Sequence, residues 1–150
     1  MLDITYEYIN YKDTKFNEIA ELRYDILFKP YGKIQKYVYD ELDSESFHLG
    51  VLLNGKVIAY SRLTLVDHEK KIGKISNVAV SPQYNSMGIG HNMLKKHIEK
   101  AVEEEMKSIF LDARTDTIDF YRKSGFEPEG DSFISDRSGL PLQRMSLKLI

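Results

Sequence analysis

The clearest chemical signal in the chain is Asn85-Ser86-Met87-Gly88-Ile89-Gly90. It follows the apolar run Val78-Ala79-Val80 and leads into apolar residues at helical spacing. A helix that begins there leaves its first N–H groups without acceptors and concentrates about half a positive charge at that end. Glycines let a ligand approach the backbone with no Cβ in between. The chemistry is that of a phosphate or pyrophosphate cradle; the plain alternative is a tight strand-to-helix turn that binds nothing. A P-loop needs Lys and then Ser or Thr after its last glycine, and His91-Asn92 stand there instead. A dinucleotide fingerprint needs a third glycine where Met93 or a neighbour stands.

Other reactive residues are few. The chain has no cysteine, which excludes thiolate zinc sites, disulfides and a cysteine nucleophile. His91 and His97 are six apart on one helix, fall on different faces and make no metal pair, so no metal site is expected. His48 alternates with Phe47, Leu49 and Val51 and reads as a surface histidine, with a cleft-facing one as the alternative. Met87, Met93 and Met106 follow helical core spacing, and Glu103-Glu104-Glu105 reads as a solvated helix face.

These residues need elements to position them. The alternation over residues 2–9 predicts a strand. Asp13 or Thr14 caps a helix with Phe16, Ile19, Ala20, Ile26 and Leu27 on its apolar face, stopped by Pro30 and Gly32. The polar stretch 33–46, with Tyr37 and Tyr39, reads as a short helix and a loop. Strands at 47–53 and 56–66 flank Asn54-Gly55, a strong hairpin signal. Another strand covers 73–80. Ile89, Met93, Leu94, His97, Ile98, Ala101, Val102 and Met106 predict one long helix over 87–106. A buried strand at 108–113, a short helix at 115–124 ended by Gly125, and an alternating strand at 142–149 complete the chain. This order implies a mixed α/β sheet with a parallel strand–helix–strand unit.

The glycine turn resembles the acetyl-coenzyme A signature of the GNAT superfamily of N-acetyltransferases, Arg/Gln-x-x-Gly-x-Gly/Ala. Val80-Ser81-Pro82-Gln83-Tyr84 supplies its lead and Gly88-Ile89-Gly90 its close. Asn85 stands at the first position; it can donate a hydrogen bond but carries no charge. About thirty residues on, Phe120-Tyr121-Arg122-Lys123-Ser124-Gly125-Phe126 resembles the family's later coenzyme-binding segment, Phe-Tyr-x-x-x-Gly-Phe. The resemblance covers residues 47–149; the first 46 match loosely, through a helix containing Leu22-Arg23.

The resemblance implies a GNAT-type fold, a mixed central sheet flanked by helices in one domain over residues 1–150. It implies that Val78, Ala79 and Val80 pair with the pantetheine arm of acetyl-coenzyme A, with an amide near Val78 or Ala79 as oxyanion donor. Asn85 and the main-chain N–H groups of Ser86, Met87, Gly88, Ile89, Gly90 and His91 would hold the pyrophosphate. Arg114 would reach the phosphates or else pair with Asp112 or Asp116. Tyr121 would be the general acid for the leaving thiolate, a role suited to a phenol protonated at neutral pH; its plain alternative is a packed core aromatic. The general base stays open among Glu41, Glu45, His48, Asp112, Asp116 and a water chain. Without a cysteine, direct transfer in a ternary complex is expected.

Composition fits this reading. A 150-residue chain with 42% hydrophobic residues can bury a core without staples. Its net charge of -2 gives no basic excess for nucleic acid, and it allows a polyamine-like or lysine acceptor. No apolar run approaches the roughly 20 residues of a membrane span, and no signal segment is evident, so a cytoplasmic protein is expected. The expected partner is a small-molecule or peptide amine, and a homodimer is compatible with the reading. Two rivals remain: a non-catalytic acyl-coenzyme A-binding or sensing module on the same fold, and an unrelated nucleotide binder using the glycine turn alone.

Overall fold

Asn54 and Gly55 both adopt left-handed backbone, φ 50° and 86°, and close the hairpin that their sequence predicts. The computed structural model describes residues 3–32 and 41–150. Strands β2 (Ser46–Leu53) and β3 (Lys56–Asp67) leave the hairpin turn as an antiparallel pair. Strand β1 (Ile4–Tyr8) lies antiparallel on β2, and β4 (Ile72–Val80) antiparallel on β3. Strand β5 (Ser108–Arg114) joins β4 in parallel, and β8 (Pro141–Lys148) joins β5 antiparallel. The two-residue strands β6 (Glu127–Pro128) and β7 (Phe133–Ile134) both pair with β8. The described strands form one sheet in the order β1-β2-β3-β4-β5-β8-β6. This is the mixed α/β sheet expected from the sequence. The additions β6 and β7 are too short for a period-2 pattern to show.

Helices cover both faces. Consecutive strand residues point to opposite sides of a sheet. Leu52 and Val57 therefore pack under α1 (Phe16–Arg23), with its Phe16, Ile19 and Leu22. Leu49 and Val51 pack under α2 (Ile89–Glu103), with its Ile89 and Met93. Further along α2, Leu94 and Ala101 meet Leu63, Ile75, Ile109, Leu111 and Met145. Each such large side chain taken fully out of water contributes about 1.5–3 kcal/mol.

Several element boundaries differ from expectation, each for a local reason. The long helix spans Ile89–Glu103 rather than 87–106. Met87 precedes it and is 38% exposed, so it is not a core residue. Glu105 takes a left-handed φ of 62°, ends the helix and returns Met106 to the core. Val102 is 57% exposed and lies off the core face. Neither Asp13 nor Thr14 caps α1: its N-cap position is Lys15, without a side-chain cap, and Asp13 accepts the Lys15 N–H at 2.9 Å in the turn before the helix. Past Arg23 the helix widens into a π segment, Tyr24–Phe28, and tightens into a 3-10 turn, Lys29–Tyr31. Gly32, at φ 83°, stops it. That change of period leaves Ile26 and Leu27 at the margin of the core rather than in it. The helix expected over 115–124 splits into a 3-10 turn, Thr115–Thr117, and α3 (Ile118–Arg122), with Gly125 at φ 95° beyond it. Of the stretch 33–46, a 3-10 turn occupies Asp43–Glu45 and β2 begins at Ser46. Leu2, Tyr37 and Tyr39 lie outside the described residues.

Candidate active site

β4 and β5 run together for three residues and then part. Ile72, Gly73 and Lys74 pair with Ser108, Ile109 and Phe110, and no pair follows. β5 continues to Arg114 on β8, and β4 continues to Val80 on β3. From Ile75 onward β4 therefore has no ladder partner on its β5 side. A backbone edge left open inside a sheet requires hydrogen-bonding partners from elsewhere.

A β-bulge shapes this edge. Tyr60 pairs with Ala79 and Arg62 with Ser76, so the single Ser61 faces both Asn77 and Val78. Asn77 adopts φ 54°, a conformation that Asn tolerates better than most residues. In a flat strand neighbouring residues alternate between faces. Here Ser76, Asn77 and Val78 all line one cavity of about 280 Å³ between the parted strands. Leu111 and Ala113 of β5 form its other wall, and Tyr121 of α3 borders it. A second cavity, about 420 Å³, shares Ile75, Ser76, Asn77 and Asp112 and opens toward β7.

Tyr121 is half-buried against the core, with its ring edge-on to Phe120 and Phe126 at 5.0 and 6.4 Å. Burial pushes its phenol pKa up, so it holds its proton across the neutral range. Its hydroxyl donates to no protein group among the described residues. It therefore has both of its sequence-level properties, a packed ring and an available O–H at the cleft.

The glycine turn sits beside this cleft. Gly88 has φ 72°, and a Cβ built on it would meet nothing within 4 Å. A Cβ on Gly90 would meet only Phe120 Cζ, at 3.3 Å. The first intrahelical bond is donated by Asn92 N–H to the Gly88 carbonyl at 3.1 Å, which leaves the N–H groups of residues 88–91 without an intrahelical acceptor, while the Met87 N–H donates to the Tyr84 carbonyl at 3.4 Å. Asn85, Ser86, Met87 and His91 are exposed around that end. His91 Nδ1 and Ser124 Oγ share a hydrogen bond at 3.3 Å, which ties the turn to the end of α3. The structure thus brings the turn, the open β4 edge and Tyr121 to one end of the sheet. An open backbone edge, an unobstructed glycine and a helix N-terminus match what an extended amide-bearing chain ending in a pyrophosphate needs.

The remaining candidates are dispersed. Arg114 is exposed and bonds Asp116 at 2.8 Å, so the ion-pair reading of Arg114 describes the structure as it stands. Asp112 faces both cavities, held by Arg144 at 3.1 Å and Lys74 at 3.5 Å. Glu41 and Glu45 are exposed and line neither cavity. His48 is not a surface residue: it is 2% exposed, because α1 covers the face of β2 that alternation left for solvent. Its Nδ1 meets the Tyr60 hydroxyl at 2.6 Å and its Nε2 the Asp43 carbonyl at 2.7 Å. Arg23 of α1 is fully buried and clasps Asp43 through Nη1 and Nη2, at 2.9 and 3.0 Å. Arg62 bonds the same carboxylate at 2.9 Å and, through Nε, Ser76 Oγ at 3.0 Å, so the buried network reaches the bulge.

Ser76 and Asn77 were not singled out by sequence reasoning. Their signal was two adjacent polar residues, which break the alternation just before the apolar run Val78-Ala79-Val80.

Comparison with known proteins assigns the fold to a class, the α/β acyltransferases. An Acyl-CoA N-acyltransferase from Pseudomonas aeruginosa superposes with a TM-score of 0.78 at 23% identity, over 97% of this chain and 99% of that one. A GNAT family acetyltransferase from Elizabethkingia anophelis, with acetyl-CoA bound, superposes with a TM-score of 0.72 at 18% identity, over 97% and 98%. The uncharacterized N-acetyltransferase YjcF of Bacillus subtilis (strain 168) is 31% identical over 107 residues, 71% of this chain and 73% of that protein. The model of the acetyltransferase (GNAT) family matches residues 16–126, and the chain belongs to that family. It is an N-acetyltransferase with acetyl-coenzyme A as its acyl donor. No helix among the described residues is long and apolar enough to cross a membrane.

Proposed function

We propose that the parted strands β4 and β5 form the active site, and that an acetyl group passes there directly to a primary amine of a small molecule or peptide. The observation that supports this best is the open β4 edge from Ile75 onward, bordered by Tyr121. In this reading bound acetyl-coenzyme A supplies an activated acyl thioester. The backbone of Val78, Ala79 and Val80 aligns it, and an amide at the bulge, near Val78 or Ala79, donates to the oxygen that becomes negative. The main-chain amides of residues 86–91, with the Asn85 side chain, hold the pyrophosphate, that of Met87 by releasing the Tyr84 carbonyl. Arg114 adds a phosphate contact by exchanging Asp116 for it. Tyr121 protonates the departing sulfur.

His48 has both ring nitrogens engaged away from the cleft, so it is not the base. Asp112 is the one acidic candidate lining the cleft, but its carboxylate is shared with Arg144 and Lys74. We assign amine deprotonation to water in the cleft, with Asp112 orienting it. One domain spanning residues 1–150, a cytoplasmic setting and a homodimer belong to the same proposal.

The test is a panel of primary amines with acetyl-coenzyme A, read by free-thiol release and by the mass of the acetylated amine. Stoichiometric product and thiol support direct transfer. Coenzyme binding with no amine acetylated favours a non-catalytic module, and binding of ATP or NAD in preference to coenzyme A favours the nucleotide binder.

A further inference from the structure

Arg137 is a cation on the cleft wall that no described carboxylate matches. It lies between β7 and β8, on a wall shared by both cavities. Its guanidinium stands over the Phe28 ring, 5.4 Å from the centroid, and Tyr31 lies close enough to act on its charge. The cleft walls take part of the guanidinium out of water, which lowers its pKa although the turn itself is exposed.

The acids nearby do not serve it. Asp112 is held by Arg144 and Lys74, and Asp116 by Arg114. Asp136, its chain neighbour, lines the larger cavity without forming an ion pair with it. Among the described residues Arg137 has no carboxylate within ion-pair distance. The other cations on these walls are matched, Lys74 by Asp112 and Arg62 by Asp43.

A guanidinium set over an aromatic ring, with no described carboxylate bound to it, keeps its planar fork free for a two-toothed anionic partner. We propose that Arg137 binds an anionic oxygen group of the acceptor, so that the acceptor is a small amine that also carries a carboxylate or a phosphate. The inference rests on the cleft being the active site. It reverses the expectation drawn from net charge, because the local field at Arg137 attracts anions and repels a polyamine. The amine end then lies toward the bulge at Asn77 and the anionic end toward Phe28.

The experiment compares amines of matched chain length with saturating acetyl-coenzyme A: ω-amino carboxylates, aminoalkyl phosphates, plain alkylamines and diamines. The expected result is a kcat/KM for one of the anionic series about 10- to 100-fold above the alkylamine and the diamine of equal length. In Arg137→Gln this preference collapses, chiefly through the KM of the acceptor, while the KM of acetyl-coenzyme A stays put. Arg137→Lys restores part of it. The carboxylate and phosphate arms identify which group is bound. Preference for diamines, or a carboxylate preference that survives Arg137→Gln, overturns the inference and leaves the transferase reading standing. If no amine at all is acetylated, the active-site reading fails, and titration of the coenzyme A-loaded protein with ω-acetamido carboxylates still decides Arg137. Binding weakened about tenfold or more by Arg137→Gln supports the anion site, and binding absent or unchanged refutes it.

Discussion

Tyr121 and His48 show how differently single residues can be read. Tyr121 stands in a spaced motif, and in the structure it borders the cleft with a phenol whose pKa burial raises. Tyr121→Phe keeps the ring's packing and removes only the acid. It should lower kcat by roughly 10²–10⁴-fold with coenzyme affinity nearly unchanged. Because burial raises the phenol pKa, the wild-type rate should not fall on the basic side until above the usual phenol range near ~10. Near-wild-type kcat in Tyr121→Phe would return the residue to packing alone. Alternation reads His48 as a surface residue, because it reports which residues share a face and not whether a second layer, here α1, covers the other.

His97 carries a pH prediction. It is fully buried on α2, between the Tyr8 hydroxyl at 3.1 Å and Ser61 Oγ at 2.7 Å, and burial lowers its pKa to about 3. Unfolded, it titrates near ~6.5. Between these values the unfolded chain binds a proton that the native protein refuses. The His97 contribution is therefore intact above the unfolded value and lost as pH falls toward 3. Stability from denaturant titration should fall by on the order of 1 kcal/mol per pH unit below ~6. His97→Gln should flatten this slope in part, since His48 is shifted the same way.

At the scale of elements, the hairpin, the parallel β4–α2–β5 unit and α2 itself were legible, because Asn54-Gly55 and the change of period are strong local signals. The pantetheine pairing implied by the family resemblance calls for an open edge of β4 near Val80; the structure opens it from Ile75 onward, and the bulge behind it was not legible, because a bulge is a matter of register between strands. Asn77 gives a test. Asn77→Gly suits φ 54°, whereas Asn77→Val puts a β-branched residue in left-handed backbone. The valine variant should lose about 1–3 kcal/mol of stability, and more kcat than its folded fraction explains, with glycine close to wild type. The glycine turn gives another. Gly90→Val fills the space before Phe120, and Gly88→Val combines an intruding side chain with strained backbone. Coenzyme A affinity by calorimetry should fall about tenfold or more in each folded variant, which is about 1.4 kcal/mol. Unchanged affinity would remove the turn from the binding site.

The whole molecule is built on one sheet that parts at one end, where the proposed site lies. Its paired strands, covered by α1 and α2, give the rigidity that lets β4 leave its edge open. The cavities and the Arg137 wall were not legible in the sequence, since they join the π segment after α1, the β4 bulge and the segment before β8, far apart in the chain. The central claim is that the donor is held by this open backbone and by the glycine turn. Amides on an unpaired edge exchange quickly with solvent until something pairs with them. Hydrogen exchange with and without coenzyme A reads this directly. The account predicts that protection on binding concentrates at residues 78–80 and 86–91, with the paired stretch Ile72 to Lys74 unchanged. Saturation with coenzyme A that leaves both segments unprotected, and protects residues elsewhere, would contradict it.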